Sequence, residues 1–316
     1  MAEKFIQLIL AIAVLAVVVA LLLGAASLAR GRYGDRVRAI FFVGPTVALV
    51  AVGLVWPTIL TIEKSFRGLA GSGSFSMSNY LTIFTRADLR TSILNTAVWV
   101  LLVPLLAIAI GLLYAIIVDR TPVEAIAKTL IFLPMAISMV GASVIWKFVY
   151  EYKPTQAPQI GLLNQVLKSF GIETKQFLIL SPWNNLFLIV VMIWIQAGFA
   201  MTVLSAAIKA IPDEVIEAAK IDGATGWALF RFITLPSIRN SLIMVLTTIA
   251  IAALKVFDIV RTMTGGNFGT SVVANDFYSS SFTQNQPGLG SALAVLLFIL
   301  VSPIIVYNVR QLRKVS

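Results

Sequence analysis

The sequence predicts an all-α integral membrane protein of about seven transmembrane helices, on three observations. Hydrophobic residues make up 59% of the 316 and charged residues 12%, against roughly 45–50% and about 25% in soluble domains, and mean hydropathy is +0.94. Seven apolar stretches reach the ~20 residues that a helix needs to cross a bilayer core: near 5–28, 40–62, 93–118, 129–149, 185–208, 240–262 and 289–309. The basic residues scatter through short loops between those stretches, where they act as topology signals.

Taken in order, the first stretch follows Lys4 and ends at Gly24-Ala25-Ala26-Ser27, the texture of a secretory signal. Its apolar length exceeds the roughly 7–15 residues of a signal core, so residues 1–30 are expected as a retained N-terminal transmembrane helix. A basic loop, 31–39, joins it to a domain covering 40–316. Segment 63–92 contains the turn-forming Gly71-Ser72-Gly73-Ser74, and segment 150–184 contains Lys153-Pro154-Thr155-Gln156-Ala157-Pro158. Proline removes donors and biases its predecessor to extended geometry, so both are solvated loops. Leu162, Leu163, Val166, Leu167 and Phe170 form an amphipathic pattern that predicts a short helix lying on the outer face. Pro104 and Pro134 fall inside spans and predict kinks. Tyr150 and Trp183 are expected in the interfacial aromatic belt.

Orientation follows from Lys and Arg in short loops. Arg30, Arg32, Arg36 and Arg38 face only Asp35, and the C-terminal tail carries Arg310, Arg313 and Lys314. Both flanks are therefore expected in the cytoplasm. Seven spans then put the N-terminus outside, the C-terminus and loops 119–128 and 209–239 inside, and segments 63–92, 150–184 and 263–288 outside. Lys64, Arg67, Arg86 and Arg90 run against the bias. The net charge of +10 does not imply nucleic acid, because the basic residues form no patch interleaved with stacking aromatics. Lipid is the expected environment of the apolar surface. The chain has no Cys and no His, which excludes disulfides, zinc sites, Cys nucleophiles and His-based triads.

Segment 211–236, IPDEVIEAAKIDGATGWALFRFITLP, is charged and glycine-broken between two spanning stretches. Pro212 with Asp213 and Glu214 makes a favourable helix start, since the missing Pro donor is not needed and carboxylates complement the positive dipole end. That helix is expected to start at Asp213 and stop at Asp222-Gly223, where Gly can take the left-handed conformation. A second short helix fits 226–232. Trp227, Phe230 and Ile233, at three-residue spacing, would form one apolar side suited to covering by another protein.

Glu217-Ala218-Ala219, three residues, Gly223, nine residues, Ile233, one residue and Leu235-Pro236 resemble, without departure, the EAA signature of binding-protein-dependent ABC importer permeases. Ile211-Pro212 before it, and Phe257-Asp258 and Thr264-Gly265-Gly266 after it, look like the carbohydrate-uptake branch of type I importers, of the maltose and α-glucoside kind, over residues 40–316. The resemblance implies a six-helix permease core plus one N-terminal helix. It implies a non-catalytic permease subunit of an ATP-driven importer for di- or oligosaccharides such as α-glucosides, working by alternating access in a bacterial inner membrane. The implied partners are a second, different permease subunit, two ATP-binding subunits and an extracytoplasmic sugar-binding protein. No cofactor is implied in this chain, ATP and Mg belonging to the ATPase subunits. In such a permease the segment is a coupling helix seated in a cleft of the ATPase. Glu217 would meet a basic residue there, Ala218 and Ala219 would keep the contact surface low, and Gly223 would permit the tight turn. Asp222, Ile233, Leu235 and Pro236 complete the ATPase-coupling set. In agreement, the sequence contains no G-x-x-x-x-G-K-S/T phosphate loop, so the energy source must be another polypeptide.

Polar and ionisable groups inside spans are costly, which singles out Gln196, Lys255 and Asp258. Lys255 and Asp258, three residues apart, would share a helix face and either pair or contact substrate. Counted from Pro212 and Pro236, the family's sugar-contacting stretches fall near Ile195, Gln196 and Phe199 and at Ala253-Leu254-Lys255-Val256. Related maltose permeases carry several amides in the second stretch, and this chain has none there. Trp194, Phe199 and Phe257 are candidates for stacking on a sugar ring. A secondary, ion-gradient-driven transporter is the alternative class; it predicts inverted repeats and midplane carboxylates, of which only Asp258 partly fits. A membrane-embedded enzyme would need clustered catalytic groups, which the sequence lacks.

Overall fold

Proline and glycine decide where the helices of this chain stop, widen or touch. The computed structural model describes residues 34–119, 121–154 and 157–312, with residues 6, 7, 9, 10, 13, 14, 17, 20 and 24. Among the described residues the regular elements are all helical. The chain divides into two compact units, Met1–Glu63 and Lys64–Ser316.

In the first unit, the described positions within the predicted 5–28 span are helical. The remainder of that span, the side chains of the Arg cluster at 30–38, and Arg313 and Lys314 lie outside the described residues. Helix α1 (Gly34–Val50) widens into a π turn at Ala51–Val55 and continues as α2 (Trp56–Ser65). Pro57 explains the wide turn: it has no N–H, and its ring crowds the carbonyl one turn back. The preceding Trp56 N–H instead reaches the Ala51 carbonyl. Together, Ala39–Ser65 is long and apolar enough to cross a membrane.

The second unit contains α3 (Ser78–Thr85), α4 (Ala87–Val118), α5 (Glu124–Phe132), α6 (Met139–Val149), α7 (Leu162–Ser169), α8 (Asn184–Lys209), α9 (Asp213–Ile221), α10 (Trp227–Leu229), α11 (Leu235–Ser237), α12 (Arg239–Leu254), α13 (Asp258–Met263), α14 (Val273–Tyr278) and α15 (Pro287–Leu312). Spanning length is reached by α4, α8 and the Pro287–Asn308 part of α15. Two bent pairs, Glu124–Ala136 with Met139–Val149 (104°) and Trp227–Ser237 with Arg239–Leu254 (68°), bring the spans among the described residues to as many as six.

Helix α8 is the centre of this unit. Its Leu188, Met192 and Leu204 are fully buried in a core shared with Trp99 and Val103 of α4, Val245 and Ile249 of α12 and Ile259 of α13. Glycine lets α4 and α8 touch: a Cβ on Gly111 would stand 2.6 Å from the main-chain nitrogen of Met201 and 2.9 Å from the Ala197 carbonyl. With no aqueous hydrophobic drive between helices in lipid, such close backbone approach is the principal source of association.

Two expectations are corrected, at Pro134 and at Tyr150. The chain does not merely kink at Pro134: Leu133–Ala136 forms a single 3-10 turn, Ile137 is extended, and Ser138 starts α6 afresh by accepting the Gly141 N–H at 3.0 Å. That side-chain cap satisfies one of the N–H groups left open at the new helix start. Helix α4 runs unbroken for 32 residues through Pro104. Tyr150 is 3% exposed, not a belt residue; its hydroxyl donates to the Phe187 carbonyl at 3.0 Å and its ring packs on Trp146 and Phe177. The amphipathic helix expected within 160–170 is present as α7.

Candidate functional site

The candidate coupling segment leaves the end of α8. Pro212 caps α9, with Asp213 and Glu214 in its first turn, as the start chemistry requires. At the other end the Ala224 N–H donates to the Ala219 carbonyl at 2.9 Å and the Gly223 N–H to the Lys220 carbonyl at 3.0 Å. These two bonds satisfy carbonyls left open by the helix end and need a left-handed residue at Gly223, whose φ is +86°. Nothing lies within 4 Å of where a Gly223 Cβ would stand, so conformation, not space, selects glycine.

The second helix is longer than expected. From Trp227 it passes through a π turn at Phe230–Thr234 and ends at Ser237, where the chain bends 68° into α12. Leu235 donates across the wide turn to the Phe230 carbonyl, the same solution before Pro236 as Trp56 supplies before Pro57. The extra residue rotates the following side chains by about 100° relative to an ordinary helix. Trp227, before that turn, and Phe232, within it, are the strongly exposed pair, each at 72%, while Phe230 and Ile233 are half-buried. Trp227 packs on Phe230 with ring centroids 5.2 Å apart.

Of the sequence-predicted coupling residues, Glu217, Ala218, Asp222, Gly223 and Pro236 are exposed, and Ile233 and Leu235 are half-buried. Ala219 is buried, so it packs inward and does not line an outer contact surface. Ile221 adds an exposed apolar side chain that the spacing did not single out.

A polar cluster that the sequence did not reveal lies at the base of this segment. Asp119 caps α4, Glu124 and Lys128 sit on α5, and Ser205 and Lys209 occupy the end of α8. The Lys128 ammonium pairs with Asp119 and, at 2.8 Å, with Glu124, and donates to the Ser205 hydroxyl. Ser205 in turn donates to the Asp119 carboxylate at 2.8 and 3.0 Å, and Lys209 pairs with Glu124. Two cations and two anions balance, and loop 119–128 is tied to α8 immediately before Pro212. The sequence carried the Glu124–Lys128 spacing of a helix pair and a serine near the end of an apolar span, but not the contact between them.

The path candidates are more dispersed. Gln196 and Phe199 are half-buried on α8. Lys255 and Asp258 do not share a helix face, because α12 ends at Leu254 and a new helix starts at Asp258. Lys255 is exposed, Asp258 is half-buried, and among the described residues no ion pair joins them. The aromatic candidates have partners within the fold: Trp194 meets Trp146 edge-on at 5.7 Å, and Phe257 lies 5.0 Å from Tyr278, over which the Arg261 guanidinium sits at 4.9 Å.

Residues 80–315 match the family described as binding-protein-dependent transport system inner membrane component. The osmoprotective compounds uptake permease protein GgtC of Synechocystis sp. is 45% identical over 272 residues, covering 86% of this chain and 98% of that protein. The alpha-glucoside transport system permease protein AglF of Rhizobium meliloti is 44% identical over 286 residues, covering 90% of this chain and 85% of that protein. A solved bacterial ABC transporter involved in import of the acidic polysaccharide alginate shares the fold, with a TM-score of 0.76 and 21% identity over 90% of this chain and 100% of that one. The chain therefore belongs to the binding-protein-dependent transport system inner membrane component family, as a multi-pass permease subunit of an ABC importer in which a separate subunit hydrolyses ATP.

Proposed function

We propose that this permease carries α-glucosides, as di- or oligosaccharides, into the cell by alternating access. The 44% identity to the alpha-glucoside permease AglF across 90% of the chain carries the substrate reading. In the assembly proposed, it pairs with a second, different permease subunit, receives sugar from an extracytoplasmic binding protein and sits on two ATP-binding subunits that hold ATP and Mg. Residues 1–30 form the added N-terminal helix, 31–39 a basic cytoplasmic loop and 40–316 the permease domain. The N-terminus lies outside and the C-terminus in the cytoplasm.

In this reading, segment 211–236 docks on the ATPase through Glu217, Ala218, Asp222 and Gly223, with Ile233, Leu235 and Pro236 shaping the second helix and Ala219 seating the first. Exposed Ile221, Trp227 and Phe232 support it, since large apolar side chains clustered beside a charged helix are drawn to a protein partner. Gln196, Phe199, Lys255 and Asp258 line the route of the sugar. The test is uptake into vesicles holding the permease pair and ATPase, supplied with binding protein: labelled maltose or trehalose is expected to enter only with ATP. Entry driven by an ion gradient alone would overturn the reading. An osmoprotective solute is the second candidate, favoured by the 45% identity to GgtC; competition between the two solutes decides which is carried.

A further inference from the structure

At the end of α8 remote from the coupling segment, three asparagines hold the loop between α13 and α14. The Trp99 indole N–H donates to Asn185 Oδ1 at 2.8 Å, and the Asn185 amide donates to Asn95 Oδ1 at 3.2 Å. The Asn95 amide then donates to the Gly269 and Ser271 carbonyls at 2.7 and 2.8 Å. Asn184 donates to the Phe268 carbonyl at 2.8 Å and accepts the Asn185 N–H at 2.9 Å. An indole N–H can only donate and a carbonyl can only accept, so every amide in the relay has one permitted orientation. An aspartate at 95 or 185 could not pass the bond on.

The loop held this way is not relaxed. Gly265, Gly266 and Gly269 have φ of +68°, +85° and +73°, and between them Phe268, a residue 52% exposed, has φ +58°. A bulky residue persists in that region only where its surroundings over-determine it; here the asparagine bonds act together with the loop's own Thr264–Thr270 and Asn267–Thr264 bonds and with the Val273 N–H held by Thr96. Helix α8 has 26 residues, a rod of about 39 Å at 1.5 Å per residue. It touches α4 at mid-length through Gly111, is tied to α4 and α5 by the Lys128 cluster at one end, and is tied to α4 and the loop by the asparagines at the other.

We propose that Asn95, Asn184 and Asn185 are positioning residues of the transport cycle. They make the 264–272 loop move with the α4–α8 pair, so that displacement of the coupling segment alters the loop at the opposite mouth. This rests on the ATPase-docking reading of segment 211–236. The chain has no cysteine, so Phe268→Cys provides a probe unique within this chain, and its labelling is read on the separated permease band. In the assembled importer in vesicles, its labelling by a water-soluble maleimide is expected to change about fivefold between nucleotide-free and vanadate-trapped states, the low end of site-to-site coupling. Asn95→Asp or Asn184→Ala in that background should abolish the response and lower uptake while ATP hydrolysis continues, a separation that simple misfolding would not give. The two variants release different carbonyls, so either one that assembles is sufficient. A retained response in the variant overturns the inference, as does a parent that imports sugar with ATP yet shows no response. A parent without ATP-driven import fails on the docking reading itself.

Discussion

The Ala224 N–H donates to the Ala219 carbonyl at 2.9 Å, turning the chain back over the end of α9 with Gly223 at φ +86°. Gly223→Ala keeps the space but imposes the left-handed penalty of about 1–2 kcal/mol, so coupled uptake should fall partially. Gly223→Asp adds bulk and a negative charge at the negative end of the helix dipole and should abolish ATP-coupled uptake while the chain remains in the membrane. Normal uptake by the Asp variant would remove the docking assignment.

Trp227 exposes 72% of its surface, so Trp227→Ala should leave the permease's own thermal stability within about 0.5 kcal/mol. If Trp227 anchors the ATPase, binding of that subunit to solubilised permease should weaken by about 2 kcal/mol, the scale of an interface hot spot. Unchanged affinity would mean that Trp227 serves no contact.

Lys128→Met leaves Asp119, whose side chain is 9% exposed, without its cation. Lys128 is itself part-exposed, so the loss expected is about 1–3 kcal/mol, the cost of leaving a buried polar group without its partner. The double variant Lys128→Met/Asp119→Leu should recover part of that loss, read as thermal midpoints in detergent. Strictly additive losses would show that the pair is not energetically coupled.

Asp276 lies outside the spanning segments. Burial holds its carboxyl above the usual 3.8, opposed by hydroxyl bonds from Ser271 and Ser92 and assisted by the charge of Asp88. The folded state thus binds this proton more tightly than the unfolded chain does, and its contribution to stability falls as pH rises upward from 3.8, levelling off above the folded value. Asp276→Asn removes that slope, so its stability relative to the parent should be greater at neutral pH than near pH ~4. Parallel stability–pH curves for the two proteins would contradict this.

The apolar stretches, the start of α9 at Asp213 and its end at Gly223 were all legible in the sequence, because hydrophobic length, proline at a helix start and a left-handed glycine act over one turn or one span. Legible too was the spacing from Glu217 to Pro236 that marks the family. Tertiary structure decided everything that depends on partners distant in the chain. It broke the helix at Pro134 but not at Pro104, and it separated Lys255 from Asp258 by ending α12 at Leu254. It turned Ala219 inward, and it left Phe232 exposed while Ile233 is half-buried. It also joined Lys128 to Ser205 and Asn95 to Asn185, pairs 77 and 90 residues apart. A lone serine or asparagine in an apolar run declares that its polar group needs a partner; only the packing of α4 against α8 says which one it finds.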